Sequence, residues 1–360
     1  MTLDYSQQAF FELLRAGLWE KEARLSQFDN INYAAIMRMA EGQSVVGLIT
    51  TGLEQVTDVK IPQPIVLQFV GATLQIEQRN KSMNAFVAKL IELLRKREVY
   101  TLLVKGQGIA QCYERPLWRS SGDVDLFLSD TNYDKAKEIL IPMATDVEKE
   151  FQLLKHIGMT VNGFVVELHG TLRIRLTRRI DREIDKVQKE CFYGGEVRSW
   201  QNGSTQVFLP GANQDVVFVF THILQHLFIE GIGLRQICDW CRLLWTYRDS
   251  IDRKILEGHL QAMGLMTEWK VFGAMAVEWL GMPAKAMPFY DSRFKGKGAR
   301  LLSFILETGN FGHNRERGGG TLKTFVRRTK DAFKMMRIFP IDAWKMYFGM
   351  IRTGLIIKAE

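Results

Sequence analysis

Two aspartates one residue apart, Asp123 and Asp125, lead into the apolar run Leu126-Phe127-Leu128, and no other stretch narrows the possible folds as much. In a strand the side-chain period is two, so both carboxylates project from one face while Val124, Leu126 and Leu128 project from the other. Neighbouring carboxylates repel unless positive charge sits between them, and a divalent cation is the simplest source of it. A helix-length spacer separates this strand from an earlier one, Leu102-Leu103-Val104, which ends in Lys105-Gly106. A glycine where strand gives way to helix lets a phosphate approach, with the first helical amides facing it. Lys105 would add a point charge there, and Arg119 a planar fork able to grip a phosphate in bidentate fashion. Ser120 and Ser121 would shape the turn into the acidic strand. In the bland reading Lys105 only flanks a buried strand, and Arg119 pairs with one of the aspartates.

A compact metal site for phosphoryl chemistry calls for a third protein oxygen from a neighbouring strand. The alternating segment Thr160 to His169 supplies it: Val166 and Leu168 share one face, Val165, Glu167 and His169 the other, and Glu167 is its only acid. Lys155-His156 and the run Val147 to Phe151 suggest a further strand upstream, with Gly158 or Gly163 at the bend. Uneven alternation from Thr171 to Arg182 predicts that the Glu167 strand continues. Arg173 and Arg175 would then lie on the Glu167 face, bringing positive charge to the phosphate site.

These residues resemble the nucleotidyltransferase superfamily of the DNA polymerase beta type. Within it the chain is similar to the bacterial family of uncharacterised nucleotidyltransferases, through Lys105-Gly106, Tyr113, Arg119, Gly122-Asp123-Val124-Asp125-Leu126 and Glu167-Leu168-His169. The resemblance implies that Asp123 and Asp125 bind metal ions, Mg²⁺ or Mn²⁺, that accompany a nucleoside triphosphate such as ATP. It also implies that Glu167 completes the second metal position and helps to activate an acceptor hydroxyl. One departure stands out: the superfamily's small hydroxyl residue after the first glycine is here Gln107.

The 360 residues suffice for two domains with substantial cores. Four cysteines argue against a disulfide framework or a cysteine zinc site, Cys238 and Cys241 reading as part of a buried helix, and a reducing, cytoplasmic location is expected. No secretion signal or spanning helix is expected. Of the net charge of +8, the stretch from Arg315 to Glu360 carries +7, with eleven Lys/Arg against four Asp/Glu. Its aromatics Phe325, Phe333, Trp344 and Tyr347 alternate with basic residues. An amphipathic helix at an anionic surface and a helix packing its aromatic side inward both fit.

The expected class is α+β with an α/β core, a nucleotidyltransferase-type mixed sheet flanked by helical regions. The expected boundaries are an N-terminal helical region at 1–97, a core with a β-rich extension at 98–211, and a helical domain with a basic tail at 212–360. Helices are predicted from Ser6 to about Asp58, from Pro64 to about Lys96, from Asn132 or Asp134 to Leu140, and from Asn213 to Glu230. The charged stretch Asp181 to Lys189 reads as a helix or a linker. A hairpin is predicted at Glu196–Trp200 and Thr205–Leu209 around Asn202-Gly203. His222 and His226 lie one turn apart but lack the glutamate of a His-Glu-x-x-His site, which favours packing over zinc. Gly318-Gly319-Gly320 marks a loop without the lysine of a phosphate motif.

The function expected is metal-dependent transfer of a nucleoside monophosphate from a triphosphate to a hydroxyl acceptor: a small molecule, a glycan precursor, a protein or an RNA end. Two rivals stand beside it. One is an inactive nucleotide-binding scaffold; the other is a protein that binds nucleic acid or an anionic membrane through residues 321–360.

Overall fold

A computed structural model describes residues 3–312, 314 and 320–353. Gly318 and Gly319 of the expected glycine loop, and residues 354–360 of the basic tail, lie outside the described residues. The chain divides into two compact units. One takes Met1–Thr73, Ile174–Asp181 and Phe220–Glu360; the other takes Leu74–Arg173 and Arg182–Val219. The expected core at 98–211 lies inside the second unit except for residues 174–181.

The chain begins with α1 (Tyr5–Trp19), α2 (Tyr33–Gly42) and α3 (Val46–Glu54). Asp4 opens α1 with a capping box: its carboxylate accepts the Gln7 N–H at 2.8 Å, and the Gln7 side chain accepts the Asp4 N–H. Helices α1 and α3 approach to backbone contact through paired glycines. A Cβ on Gly17 would fall 1.9 Å from the Leu48 carbonyl oxygen, and one on Gly52 2.1 Å from that of Leu13.

The long α4 (Gln63–Arg95) is followed by β1 (Leu102–Val104), the five-residue α5 (Gly106–Ala110), β2 (Asp123–Phe127), α6 (Asp130–Leu140), β3 (Ala144–Val147), β4 (His156–Val161) and β5 (Phe164–His169). The strands form one mixed sheet in the order β1-β2-β5-β4-β3, with β2 and β5 parallel and the other neighbours antiparallel. Alternation explains its two faces. Leu103, Val124, Leu126, Val166, Leu168, Ile157, Met159 and Val161 form one buried cluster with Met83, Phe86, Val87, Leu90, Ile91 and Leu94 of α4 and with Tyr133, Ala136 and Leu140 of α6. Each fully buried Val, Leu, Ile, Met or Phe among them contributes about 1.5–3 kcal/mol through burial. The opposite face carries the acids.

Then come α7 (Arg178–Tyr193), the hairpin β6 (Val197–Asn202) and β7 (Thr205–Pro210), α8 (Ala212–Ile229), α9 (Leu234–Thr246), α10 (Arg253–Met263), α11 (Met266–Leu280), α12 (Lys295–Thr308), α13 (Gly320–Met336) and α14 (Pro340–Thr353). The hairpin forms where expected, but Asn202 pairs with Thr205, so the two turn residues are Gly203 and Ser204. Phe220, Trp240, Trp269 and Phe272 centre the helical unit, with the Trp240 and Trp269 rings 4.8 Å apart in an edge contact. The protein is thus an α+β protein with a mixed sheet, as the sequence implies. Among the described residues no helix is long and apolar enough to cross a membrane.

Of the two glycines expected at the bend, Gly163 is the one that turns the chain: Asn162 and Gly163 are both at positive φ, and Val161 pairs with Phe164 across the turn. Gly158 lies inside β4, and Thr160 and Val161 close β4 rather than open β5. One expectation near the sheet is corrected: the continuation of β5 into 171–182 does not form. Strand pairing gives way to side chains that take up the backbone amides: Gln188 accepts the Leu172 N–H, and Asp181 accepts those of Ile174 and Arg175 at 3.0 Å each. The charged stretch after it is helix α7.

Candidate active site

Register, rather than loop geometry, brings the acids together. Asp125 stands opposite Glu167 on the neighbouring parallel strand and opposite Val104 on the other side. Adjacent register partners project from the same face. One carboxylate oxygen from each of Asp123, Asp125 and Glu167 falls within 4.8 Å of the other two. That spacing and all-oxygen donor set fit a hard divalent cation.

Positive side chains press into the same space. Lys105 Nζ lies 2.8 Å from Asp125 Oδ1, and His169 Nε2 lies 2.8 Å from the same oxygen. Asp125 is only 2 % exposed, so its charge is met by these groups rather than by water. Burial alone would lower the Lys105 pKa, but Asp125 and Glu167 outweigh it and hold the ammonium above its ordinary value. Burial and the Lys105 charge likewise push His169 down, and its hydrogen bonds to Asp125 and Glu167 turn the balance upward. Burial raises Glu167, yet hydrogen bonds from His156 and His169, with the charges of His169 and Lys105, draw its carboxyl well below the usual range.

Lys105 stands at the junction of β1 and α5 with φ 58° and ψ −144°, a region that suits glycine and costs other residues about 1–3 kcal/mol. Gly106 follows at φ 36°. Gln107, in place of the superfamily's hydroxyl residue, is buried, and its amide donates to Asn80 Oδ1 at 3.3 Å. Asn80 in turn donates to the Leu117 and Arg119 carbonyls at 2.8 and 2.7 Å. One turn earlier on α4, Glu77 accepts the Trp118 indole N–H at 2.8 Å. The loop carrying Arg119 is therefore strapped to one face of α4. Arg119 itself is buried and donates to the Ser120 carbonyl at 3.1 Å and to Ser121 Oγ at 2.9 Å.

Arg173 is the expected site residue that the fold does not bring to the acid face of a strand. It lies past the end of β5, and its guanidinium makes two 2.6 Å hydrogen bonds to Asp185 of α7. With Lys155, Lys189 and Tyr193 it lines a cavity of about 530 Å³ beyond the C-terminal ends of β2 and β5.

A family model described as uncharacterised nucleotidyltransferase matches residues 29–281. The chain belongs to that family. No curated protein and no solved structure matches it. In this nucleotidyltransferase, residues 29–281 include the whole five-stranded sheet and both acidic strands.

Sequence reading put His156 on a strand upstream of the bend without giving it a place at the site, and it passed over Asn80. His156 lies directly opposite His169 in the β4–β5 ladder, a register that follows once Gly163 is the bend. Asn80 carries no motif. His222 and His226 pack edge to face at 4.3 Å, and neither belongs to a metal-capable group among the described residues.

Proposed function

We propose that this nucleotidyltransferase moves a nucleoside monophosphate from a triphosphate to an acceptor hydroxyl, releasing pyrophosphate. The observation that carries the reading is the convergence of Asp123, Asp125 and Glu167 on one face of the sheet. These three would hold a divalent cation, Mg²⁺ or Mn²⁺, which when bound would neutralise phosphate charge and orient the triphosphate. Lys105 would contribute charge beside the phosphates, Gly106 close backbone approach, and Arg119 with Ser120 and Ser121 donors at the loop into β2. Glu167, held ionised, would accept a hydrogen bond from the acceptor hydroxyl and orient it. As the acceptor oxygen bonds to the α-phosphorus, the bond from that phosphorus to the β-bridging oxygen breaks and the hydroxyl proton passes to Glu167. Arg173 would reach the substrate only by exchanging its Asp185 partner, or would serve the cavity it lines.

The test is incubation with each labelled triphosphate, Mg²⁺ or Mn²⁺, and lysate fractionated by size. Label should appear on one acceptor class, with pyrophosphate released. No transfer from any triphosphate would leave the scaffold reading in its place.

A second reading concerns the C-terminal helices and is favoured by one observation. Met335, Met346, Tyr347 and Met350 turn inward, whereas Phe333, Trp344 and Phe348 are 56, 40 and 58 % exposed. Their rings run together, Trp344 lying 6.0 Å from Phe333 and 5.4 Å from Phe348, in a segment that also carries Lys330, Lys334, Arg337 and Lys345, of which Lys334 pairs with Glu307 and Lys345 with Asp342. We propose that this face contacts an anionic membrane surface. Co-sedimentation with vesicles containing anionic lipid should require Trp344 and Phe348. Equal binding by a W344S/F348S variant would remove the proposal.

A further inference from the structure

The acid face continues past the three carboxylates. On β4, His156 lies opposite His169, and the next outward-facing position, opposite Glu167, is Gly158. That glycine leaves room above the strand, and the Glu148 carboxylate occupies it, 2.7 Å from where a Cβ would stand. Both imidazoles reach one Glu167 oxygen, His169 Nε2 while also bonding Asp125 Oδ1 at 2.8 Å. His156 Nε2 is 3.3 Å and His169 Nε2 3.4 Å from Glu167 Oε2, with ring centroids 4.8 Å apart. One donor atom from each of His156, Glu167 and His169 lies within 4.8 Å of the others.

The two contacts to Glu167 are long beside charge-assisted hydrogen bonds, which settle at about 2.7–2.9 Å as in the His169–Asp125 pair. They match the separation of about 3.3–3.4 Å between ligands of a tetrahedral metal with bonds of about 2.0–2.1 Å. Chemistry points the same way. Imidazole nitrogen suits zinc, cobalt and other late first-row ions, whereas Mg²⁺ prefers oxygen alone.

We propose that His156, Glu167 and His169 form a second cation position, selective for a late first-row transition metal such as Zn²⁺ or Co²⁺. It shares Glu167 with the carboxylate position of Asp123 and Asp125. The proposal builds on the reading of the acid face as a metal-dependent site, but it concerns binding and is tested without turnover. His156 is the residue that distinguishes the two positions, because it belongs only to the nitrogen-bearing one.

The experiment titrates the metal-free full-length protein with Co²⁺ alone, followed by the visible absorption of the bound ion, and with Mg²⁺ alone by calorimetry. Co²⁺ should bind at least about tenfold more tightly than Mg²⁺. His156→Ala should weaken Co²⁺ at least about tenfold while leaving Mg²⁺ within about twofold. His156→Gln, which keeps a polar side chain on the partly exposed strand start, should lose Co²⁺ affinity to a similar degree while its melting temperature stays near that of the parent. Asp123→Asn should do the reverse, weakening Mg²⁺ more than Co²⁺. Unchanged Co²⁺ affinity in both His156 variants, or equal affinity for the two ions in the parent, overturns the proposal. A protein that binds Co²⁺ as described yet transfers no nucleotide would sink the enzymatic reading and leave this site standing.

Discussion

Asp125 and Glu167 are register partners on neighbouring parallel strands, so two acids 42 positions apart in sequence leave the same face of the sheet side by side. Asp123→Asn and Asp125→Asn should each lower nucleotide transfer by at least about 10²-fold, measured with labelled triphosphate, while circular dichroism stays near that of the parent. Asp125→Asn should also lower the melting temperature, because Lys105 keeps its buried charge and loses its 2.8 Å partner. Retained transfer in both variants would place the chemistry elsewhere.

Asn80→Ala should cost about 1–3 kcal/mol in urea unfolding, because it strips the Leu117 and Arg119 carbonyls of their donor and leaves the Gln107 amide without its acceptor. In a transfer assay the larger effect should fall on KM for the triphosphate, since the loop it holds carries Arg119. A variant whose KM and stability both match the parent would show that the strap is dispensable.

Glu268 gives the helical unit a pH dependence of its own. Its carboxyl is fully buried, with neither oxygen hydrogen-bonded by geometry, and burial, then the nearby Asp342, pushes its pKa up to about 8. The folded state holds this proton below about pH 8, while the unfolded chain releases it above about pH 4.5. Between those values unfolding sheds a proton, so stability falls by about 1.4 kcal/mol per pH unit as pH rises. Glu268→Gln should flatten that slope and raise the urea midpoint at about pH 7 more than at about pH 5. Parallel pH profiles for the two proteins would refute it.

Gly52→Ala should be among the most damaging small substitutions, since the added methyl would meet the Leu13 backbone at 2.1 Å with no flexible side chain to move aside. A loss of several kcal/mol is expected, read as a fall in melting temperature. Gly71→Ala, on the open side of α4 with nothing within 4 Å of the new Cβ, serves as the control and should be neutral or slightly stabilising.

The acidic pair, the strand that carries it and the long helix behind it were legible because each rests on local periodicity. Val124, Leu126 and Leu128 alternate with the aspartates, and the Met83 to Leu94 stripe recurs at helical spacing. The corner between β4 and β5 was legible only as a choice between Gly158 and Gly163, because the apolar run Phe164-Val165-Val166 blurs where the second strand starts and only the Asn162-Gly163 dipeptide marks the turn. Arg173 was misplaced because the backbone amides of that stretch are taken by side chains of the following helix, Asp181 seven residues and Gln188 sixteen residues further along, which periodicity does not reveal. β3 lies at the sheet edge, exposed from Thr145 to Val147 and without alternation, which is why its strand was expected a few residues too late.

Since Val161 pairs with Phe164 around a two-residue corner, His156 and Gly158 hold their stations across from His169 and Glu167 by counting alone. Length variants of β4 should therefore obey a parity rule. One added residue between 157 and 161 exchanges wet for dry, turning the imidazole into the oily layer and an isoleucine toward the acids; two added residues restore the face but set the histidine one rung out of step. Along these few rungs the letters can be exchanged with the pairing left in place, whereas a change in their number cannot.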